Sequence, residues 1–340
     1  MKGRQIALDH LKGTQAAALL VDGRLQDLFI DTDQPRPGTI YRSIANRPMK
    51  GQGGMFVTTP DGPAFLRQIK GLSPGQPILV QVTGYAEPGK ALPVTARILF
   101  KSRYAIVTPE APGLNISRSI RDDEQRDALL AIAHQEMGGS AMGLILRSAC
   151  AAAEVSEIEE DIRAMHDLAQ AVLADAVGDE PETLTEGDGP HALAWRDWSD
   201  PADVSTQAGC FEHLNVLDQL ENLTSSHVPL GSASMFIEPT RALVAVDVNT
   251  GGDTSPAAGL KANLAAARDL PRQLRLRGLG GQITLDLAPM VKKDRKTFES
   301  TLRGALKSDT VDTALAGWTP LGHFELQRKR DRIPLKDLLK

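Results

Sequence analysis

Ala242-Leu243-Val244-Ala245-Val246-Asp247-Val248-Asn249-Thr250-Gly251-Gly252 and Gly280-Gly281-Gln282-Ile283-Thr284-Leu285-Asp286-Leu287 decide how this chain reads. Each is a short apolar run that ends in an aspartate, and each has the length and composition of a buried strand. A carboxylate at such a place is costly unless something pairs with it. Asn249 lies two residues after Asp247 and so shares its face of the strand. Two carboxylates from neighbouring strands can share a hard cation, which takes oxygen ligands and leaves positions for water and phosphate. Taken singly, each residue reads equally as a strand-end Asp that caps the following turn.

Outward from these strands, Leu260–Arg277 has helical periodicity interrupted by Pro271, which predicts a kink or a break, and Gly278–Gly281 ends that helix. Lys293–Lys307 reads as a helix and Gly322–Arg328 as a last strand. Towards the N-terminus, Phe211–Leu223 reads as a helix, with Ser234–Glu238 and Arg241–Asn249 as paired strands. Gly178–Pro201, acidic and rich in Gly and Pro, reads as a loop or linker. Asp122–Gln135 and Glu154–Ala176 are helices on either side of a strand at Gly143–Ser148, and Ser102–Pro109 is another strand. Between Gly38 and about Phe100 the strands are short and punctuated by turns such as Pro60-Asp61-Gly62-Pro63, the spacing of a small β-barrel. Residues 33–38 form a Pro/Gly linker. Asp22-Gly23 joins two apolar runs within Ala16–Ile30, a strong hairpin signal.

Composition narrows the function classes. The 340 residues predict two or three domains, and 41% hydrophobic content supplies their cores. No apolar run is long enough for a membrane span, and the N-terminal residues lack the apolar region of a signal peptide. The two cysteines, Cys150 and Cys210, form neither a zinc motif nor a disulfide framework. A reduced, cytoplasmic setting is the expectation. The net charge of −5 does not mark a nucleic-acid binder, but its distribution is uneven. Residues 171–200 hold eight acids against Arg196 alone, whereas residues 268–340 hold sixteen Lys/Arg against nine Asp/Glu. A basic segment around the second aspartate points to a polyanionic partner.

Longer motifs carry a resemblance. Thr240–Gly251 resembles the "TEALxxIDINSG" strand of the ribonuclease E/G family. Asn263-Leu264, Arg272–Arg277 and Leu279–Gly281 are similar to its "NLEAADEIARQLRLRDLGG", Leu285–Leu287 with Met290 to its "IDFIDM", and Gly322–Arg330 to its "GLxEMxRxR". Gly38–Tyr41, Gly54–Val57 and Ala64–Leu66 resemble its inserted RNA-binding barrel, and Ile116–Arg118 with Ile145–Ser148 its sensor for RNA 5′ ends.

The resemblance implies a mixed α+β, multidomain fold: an OB-fold barrel (38–100) inserted in a shortened RNase H-like region (1–37 and about 186–230), a 5′-sensor-like region with the acidic linker (101–185), and a DNase I-like α/β catalytic domain (231–340). It implies a Mg²⁺-dependent endoribonuclease, with Mn²⁺ as a substitute and no zinc, cleaving single-stranded RNA to 5′-phosphate and 3′-hydroxyl ends. Asp247 and Asp286 would hold the metal and Asn249 would orient the site. Phe56, Phe65 and Lys90 would contact RNA in the barrel, Arg118, Arg147 and Ser148 at the 5′ end, and Arg272, Arg275, Arg328 and Arg330 along the backbone. The alternative is an RNA-binding protein of the same fold with little or no cleavage. Three departures motivate it: Arg241 stands where the family has Glu, Pro289 where it has a second Asp, and the middle region is short. A further basic sensor residue has no counterpart near Asp312. The zinc-link motif CPxCxG is absent, so a monomer or weak dimer is expected rather than a zinc-linked oligomer.

Overall fold

The computed structural model describes residues 3–49, 53–69 and 71–340. The chain divides into two compact units. One comprises Met1–His10, Ala18–Leu28 and Val204–Lys340; the other comprises Leu11–Ala17 and Phe29–Asp203. Both mix helix and strand.

Strands β1 (Arg4–Leu11), β2 (Thr14–Val21) and β3 (Arg24–Ile30) open the chain. The Asp22-Gly23 turn between the last two has positive φ at both residues, 51° and 75°, as the tight hairpin turn requires. β4 (Ile40–Met49), β5 (Gly54–Thr59), β6 (Gly62–Leu66), β7 (Pro77–Val82) and β8 (Leu92–Thr95) then run in the order β4-β5-β6-β8-β7, and β7 returns to pair with β4. This is the closed five-stranded, OB-like barrel that the short-strand spacing predicts. Alternation decides its inside: Met55, Val57, Ala64 and Leu66 are buried, and their sequence neighbours face outward.

β9 (Phe100–Lys101), β10 (Ala105–Thr108), β11 (Leu114–Ile116) and β12 (Gly143–Leu146) form a second sheet in the order β11-β12-β10-β9. Helices α1 (Asp123–Met137) and α2 (Val155–Ala174) share its apolar core. Asp122 caps α1 by accepting from the Gln125 N–H, and left-handed Gly138 ends it.

The expected acidic loop at 178–201 is partly ordered. Glu182–Thr185 forms β13 on the otherwise open edge of β4, and Pro190 starts a short helix α3 (Pro190–Asp197). Edge pairing and a proline at the first helical position outweigh a loop-like composition.

β14 (Asp203–Ser205) joins the first sheet, in the order β14-β1-β2-β3. Helices α4 (Cys210–His213) and α5 (Val216–Thr224) follow. The C-terminal part is a six-stranded sheet of β15 (His227–Leu230), β16 (Ala233–Pro239), β17 (Val244–Asn249), β18 (Gly281–Asp286), β19 (Thr313–Trp318) and β20 (Phe324–Arg328), in the order β15-β16-β17-β18-β20-β19.

Helix α6 (Ala258–Leu276) makes the crossover between the parallel strands β17 and β18, and α7 (Arg295–Lys307) shares the core beneath them; α8 (Leu335–Leu338) closes the chain. Contrary to a break, α6 runs on through Pro271. Its buried stripe of Ala262, Ala266, Ala267, Leu270 and Leu274 packs against Val244, Val246, Ile283 and Leu285. That burial, roughly 1.5–3 kcal/mol for each large side chain, compensates for the hydrogen bond a helical proline cannot donate.

Candidate functional site

The six-stranded sheet has one face packed on helices and one that carries its polar side chains. Val244, Val246 and Val248 of β17 are buried, so Ala245, Asp247 and Asn249 take the opposite face. Ile283 and Leu285 of β18 are likewise buried, leaving Gln282, Thr284 and Asp286 on that face. The two strands are parallel and pair Asp247 directly with Asp286. Neighbouring strands lie roughly 4.8 Å apart, so side by side the two carboxylates rise from adjacent strand ends.

Asn249 donates from Nδ2 to Asp247 Oδ2 at 2.8 Å. His323 Nε2 stands 3.7 Å from Asp286 Oδ1, and the Asp286 side chain is 70% exposed. Among the described residues neither aspartate has a Lys or Arg ion-pair partner. Two adjacent, solvated carboxylates without a fixed cation make an oxygen-donor set suited to a hard divalent ion. Among the described residues no group of three or more His, Cys, Asp or Glu is placed to hold a metal.

Two further features were not legible as site residues in the sequence. Phe236 lies directly opposite Asp247 on β16, and its half-buried ring meets His227 at a tilt of 50° with centroids 5.1 Å apart. This puts an aromatic pair beside the carboxylates. Its signal was faint, because a lone Phe in a strand more often faces a core. Fully buried Asn263 on α6 donates to the Ala288 carbonyl at 2.8 Å and accepts from the Ala288 N–H at 3.0 Å. It clips the loop that follows Asp286 onto the helix. Gly259 lets the Pro289 carbonyl approach the same helix, in space that a Cβ would fill.

The remaining expected residues fall into three groups. In the barrel, Phe56 and Phe65 are cross-strand partners on the outer face, with rings 5.2 Å apart, and the Arg47 guanidinium lies 5.3 Å from the Phe56 ring. They are therefore surface aromatics rather than core. Lys90 sits in an exposed turn, paired with Glu87 at 2.9 Å.

Arg118, Arg147 and Ser148 are brought together where β11 and β12 end, because Ser117 N–H donates to the Leu146 carbonyl. Arg118 and Ser148 are exposed. Arg147 is half-buried and bound to Asp197 at 2.8 Å and to the Arg196 carbonyl. Burial pushes the Asp197 carboxyl up, but Arg196, Lys101 and Arg147 outweigh it and hold the group well below the usual carboxylate range.

The third group is the basic set of the C-terminal segment. Arg272 is bound to Asp269 and the Leu25 carbonyl, and Arg275 to Asp309 and the Gln26 carbonyl. Arg328 is 1% exposed and bonds Asp309 at 2.5 Å and Thr313 at 2.8 Å. These three guanidiniums serve the interior of the unit. Arg330 alone of the four is exposed, its guanidinium lying against Gly281. Helical periodicity places an arginine on a face but does not say which acid will meet it.

Comparison with known proteins bears on the same segments. The ribonuclease E/G family model matches residues 100–202 and 201–331. "Ribonuclease E" of Nostoc sp. is 26% identical over 374 residues, covering 93% of this chain and 54% of that protein. "Ribonuclease E" of Synechocystis sp. is 27% identical over 383 residues, covering 95% and 56%. "Ribonuclease G" of Escherichia coli strain K12 is 26% identical over 395 residues, covering 95% and 79%. The chain thus spans about half the length of the first two relatives.

Proposed function

This chain belongs to the ribonuclease E/G family, and from that membership we propose that it is an endoribonuclease cleaving single-stranded RNA in RNA processing or decay. The observation that carries the reading is the register pair Asp247–Asp286 on an open sheet face. Asp247 and Asp286 would hold Mg²⁺, with Mn²⁺ as a substitute. When bound, such an ion lowers the pKa of water and neutralises charge growing on a phosphodiester. Asn249 fixes the Asp247 carboxylate through its 2.8 Å hydrogen bond, leaving Oδ1 available. Asn263 holds the loop after Asp286, so that carboxylate starts from clamped backbone. His323 is placed to exchange a proton near Asp286 or to hold a phosphate oxygen. Water attack leaves 5′-phosphate and 3′-hydroxyl ends.

Phe236 would stack on an RNA base at the catalytic sheet, and Phe56 and Phe65 offer the barrel its own stacking faces, since stacking tolerates any sequence and suits a single strand. Arg241 and Arg330 are exposed cations for the backbone. Arg118 and Ser148 offer a guanidinium and a hydroxyl to a terminal phosphate, with Arg147 joining them if Asp197 yields it. The finer architecture proposed is an OB-fold barrel, a shortened RNase H-like region, a 5′-sensor region and a DNase I-like catalytic domain, in a cytoplasmic protein. No described helix is long and apolar enough to cross a membrane.

The test is cleavage of a 5′-labelled single-stranded RNA with Mg²⁺, mapping both new ends. Loss of cleavage with retained RNA binding in Asp247→Asn and Asp286→Asn supports the enzyme. Wild-type protein that binds the RNA and never cuts it establishes the binding-only alternative.

A further inference from the structure

A cavity of about 410 Å³ lies within the unit that carries the catalytic sheet. Its polar lining includes Arg24, Arg272, Arg277 and Asn222, and its apolar lining includes Val228 and Leu276. Neither aspartate of the proposed catalytic pair lines it.

The charges there do not balance. Arg24 and Arg272 share one carboxylate, Asp269, at 2.7 and 2.8 Å. Arg277 is only 6% exposed and forms no ion pair among the described residues; the carboxylate that attracts it is the same Asp269. Its guanidinium donates to the Leu223 and Ser225 carbonyls and to the Gln273 side-chain oxygen, which leaves Nη2 without a hydrogen bond among the described residues. Burial, then the neighbouring Arg272, pulls the Arg277 pKa down to about 10. Three guanidiniums facing one carboxylate leave an excess of two positive charges. An uncompensated buried cation is costly, and a bound anion removes that cost.

We infer that this cavity is a binding site for a nucleoside 5′-phosphate monoester, held by Arg277, Arg24 and Arg272 and seated on the Val228 and Leu276 wall. A monoester carries roughly −1.5 to −2 charge near neutrality, which matches the excess; an internal phosphodiester, with one charge, does not. The volume is that of a site for an organic molecule rather than a bare ion. The Asn222 side chain, with no hydrogen bond in the protein among the described residues, supplies an amide for a base or ribose edge. The same chemistry is presented by a free mononucleotide and by a 5′-phosphorylated RNA end.

Calorimetric titration of the full chain with 5′-AMP, adenosine and the 5′-phosphorylated dinucleotide pApA separates these sources. 5′-AMP should bind at least about tenfold more tightly than adenosine, through charge-assisted hydrogen bonds. Arg277→Gln should weaken 5′-AMP by about tenfold or more and exposed Arg24→Ala by about threefold, while Asp247→Asn should leave it unchanged. Where Arg277→Gln fails to fold, Arg24→Ala and Asn222→Leu carry the test. If pApA matches 5′-AMP, the site takes an RNA end; if pApA fails, it takes a free mononucleotide. Binding of 5′-AMP no tighter than adenosine overturns the assignment. So does binding left unchanged by both Arg24→Ala and Asn222→Leu, or lost in Asp247→Asn.

Discussion

Two pairs of aspartates in one unit have opposite fates. Asp247 and Asp286 stand side by side on an open sheet face, and among the described residues no arginine or lysine pairs with them. Asp27 and Asp309 have side chains 5% and 0% exposed and are met by Arg275, Arg328 and Arg332. The second pair is saturated: its two negative charges are desolvated and more than met by three guanidiniums, so it has nothing to offer a cation. The first pair is unsaturated, and only such a pair can take a metal. The contrast also separates the arginines. Those that meet Asp309 are held in the interior, whereas Arg241 and Arg330 are exposed.

The largest test of the contrast is at the open pair. Asp247→Asn or Asp286→Asn should lower cleavage by about 10⁴-fold, because charge stabilisation at the phosphate is worth several kcal/mol, and should leave the denaturant midpoint unchanged. A single-turnover assay and an unfolding curve on the same preparations decide it; a large loss of stability would mean that these carboxylates are structural after all.

At the closed pair the outcome should invert. Asp309→Asn leaves Arg328 buried without its partner and should destabilise by about 3 to 5 kcal/mol, measured by urea unfolding. Cleavage per folded molecule should hold at temperatures where the variant stays native.

Acid should distinguish the pairs as well. Burial pushes the Asp27 carboxyl up, but the charge and hydrogen bond of Arg332, the charge of Arg275 and the Leu28 N–H outweigh it and hold the group below its usual value. A depressed folded value means stability that is fully present above the unfolded value, about 3.9, and is lost as pH falls through the folded one. The stability difference between the wild type and Asp27→Asn should therefore be constant near neutrality and shrink below about pH 4. A difference that grows on acidification would reverse the assignment.

A smaller effect belongs to the ring beside the open pair. Phe236→Ala should weaken RNA binding by about 1 to 2 kcal/mol, the loss of one stacked base, visible in KM more than in the rate of a saturated enzyme. Smallest is Arg241→Ala, which should lower the slope of log affinity against log salt by about one unit for a single phosphate contact. No change in slope would place the RNA elsewhere on the sheet.

Much of this was legible in the chain. Short strands punctuated by turns between Gly38 and about Phe100 predict a small barrel, and the apolar runs ending in Asp247 and Asp286 predict strands of one sheet. Helix α6 is legible too, except that of the kink or break Pro271 predicts, a break does not occur, because apolar burial that local propensity does not register carries the helix through. β13 was hidden because its four residues, Glu-Thr-Leu-Thr, owe their strand to the edge of β4. Phe56 and Phe65 were undecided between core and surface until register placed them opposite each other on the barrel's outer face. Arg275 and Arg328 read as surface cations because no feature of the local sequence points to Asp309, whose meeting with them is made by packing.

By itself, then, the sequence determined the strands, the residue types at their ends and the face each side chain would share, since those follow from a period of two along a strand and from local turn chemistry. Tertiary structure alone decided which carboxylates stay open and which are neutralised. That choice depends on which arginine reaches which acid across 34 residues, for Arg275 and Asp309, or 305, for Arg332 and Asp27, and pairing over such separations is set by how the elements pack.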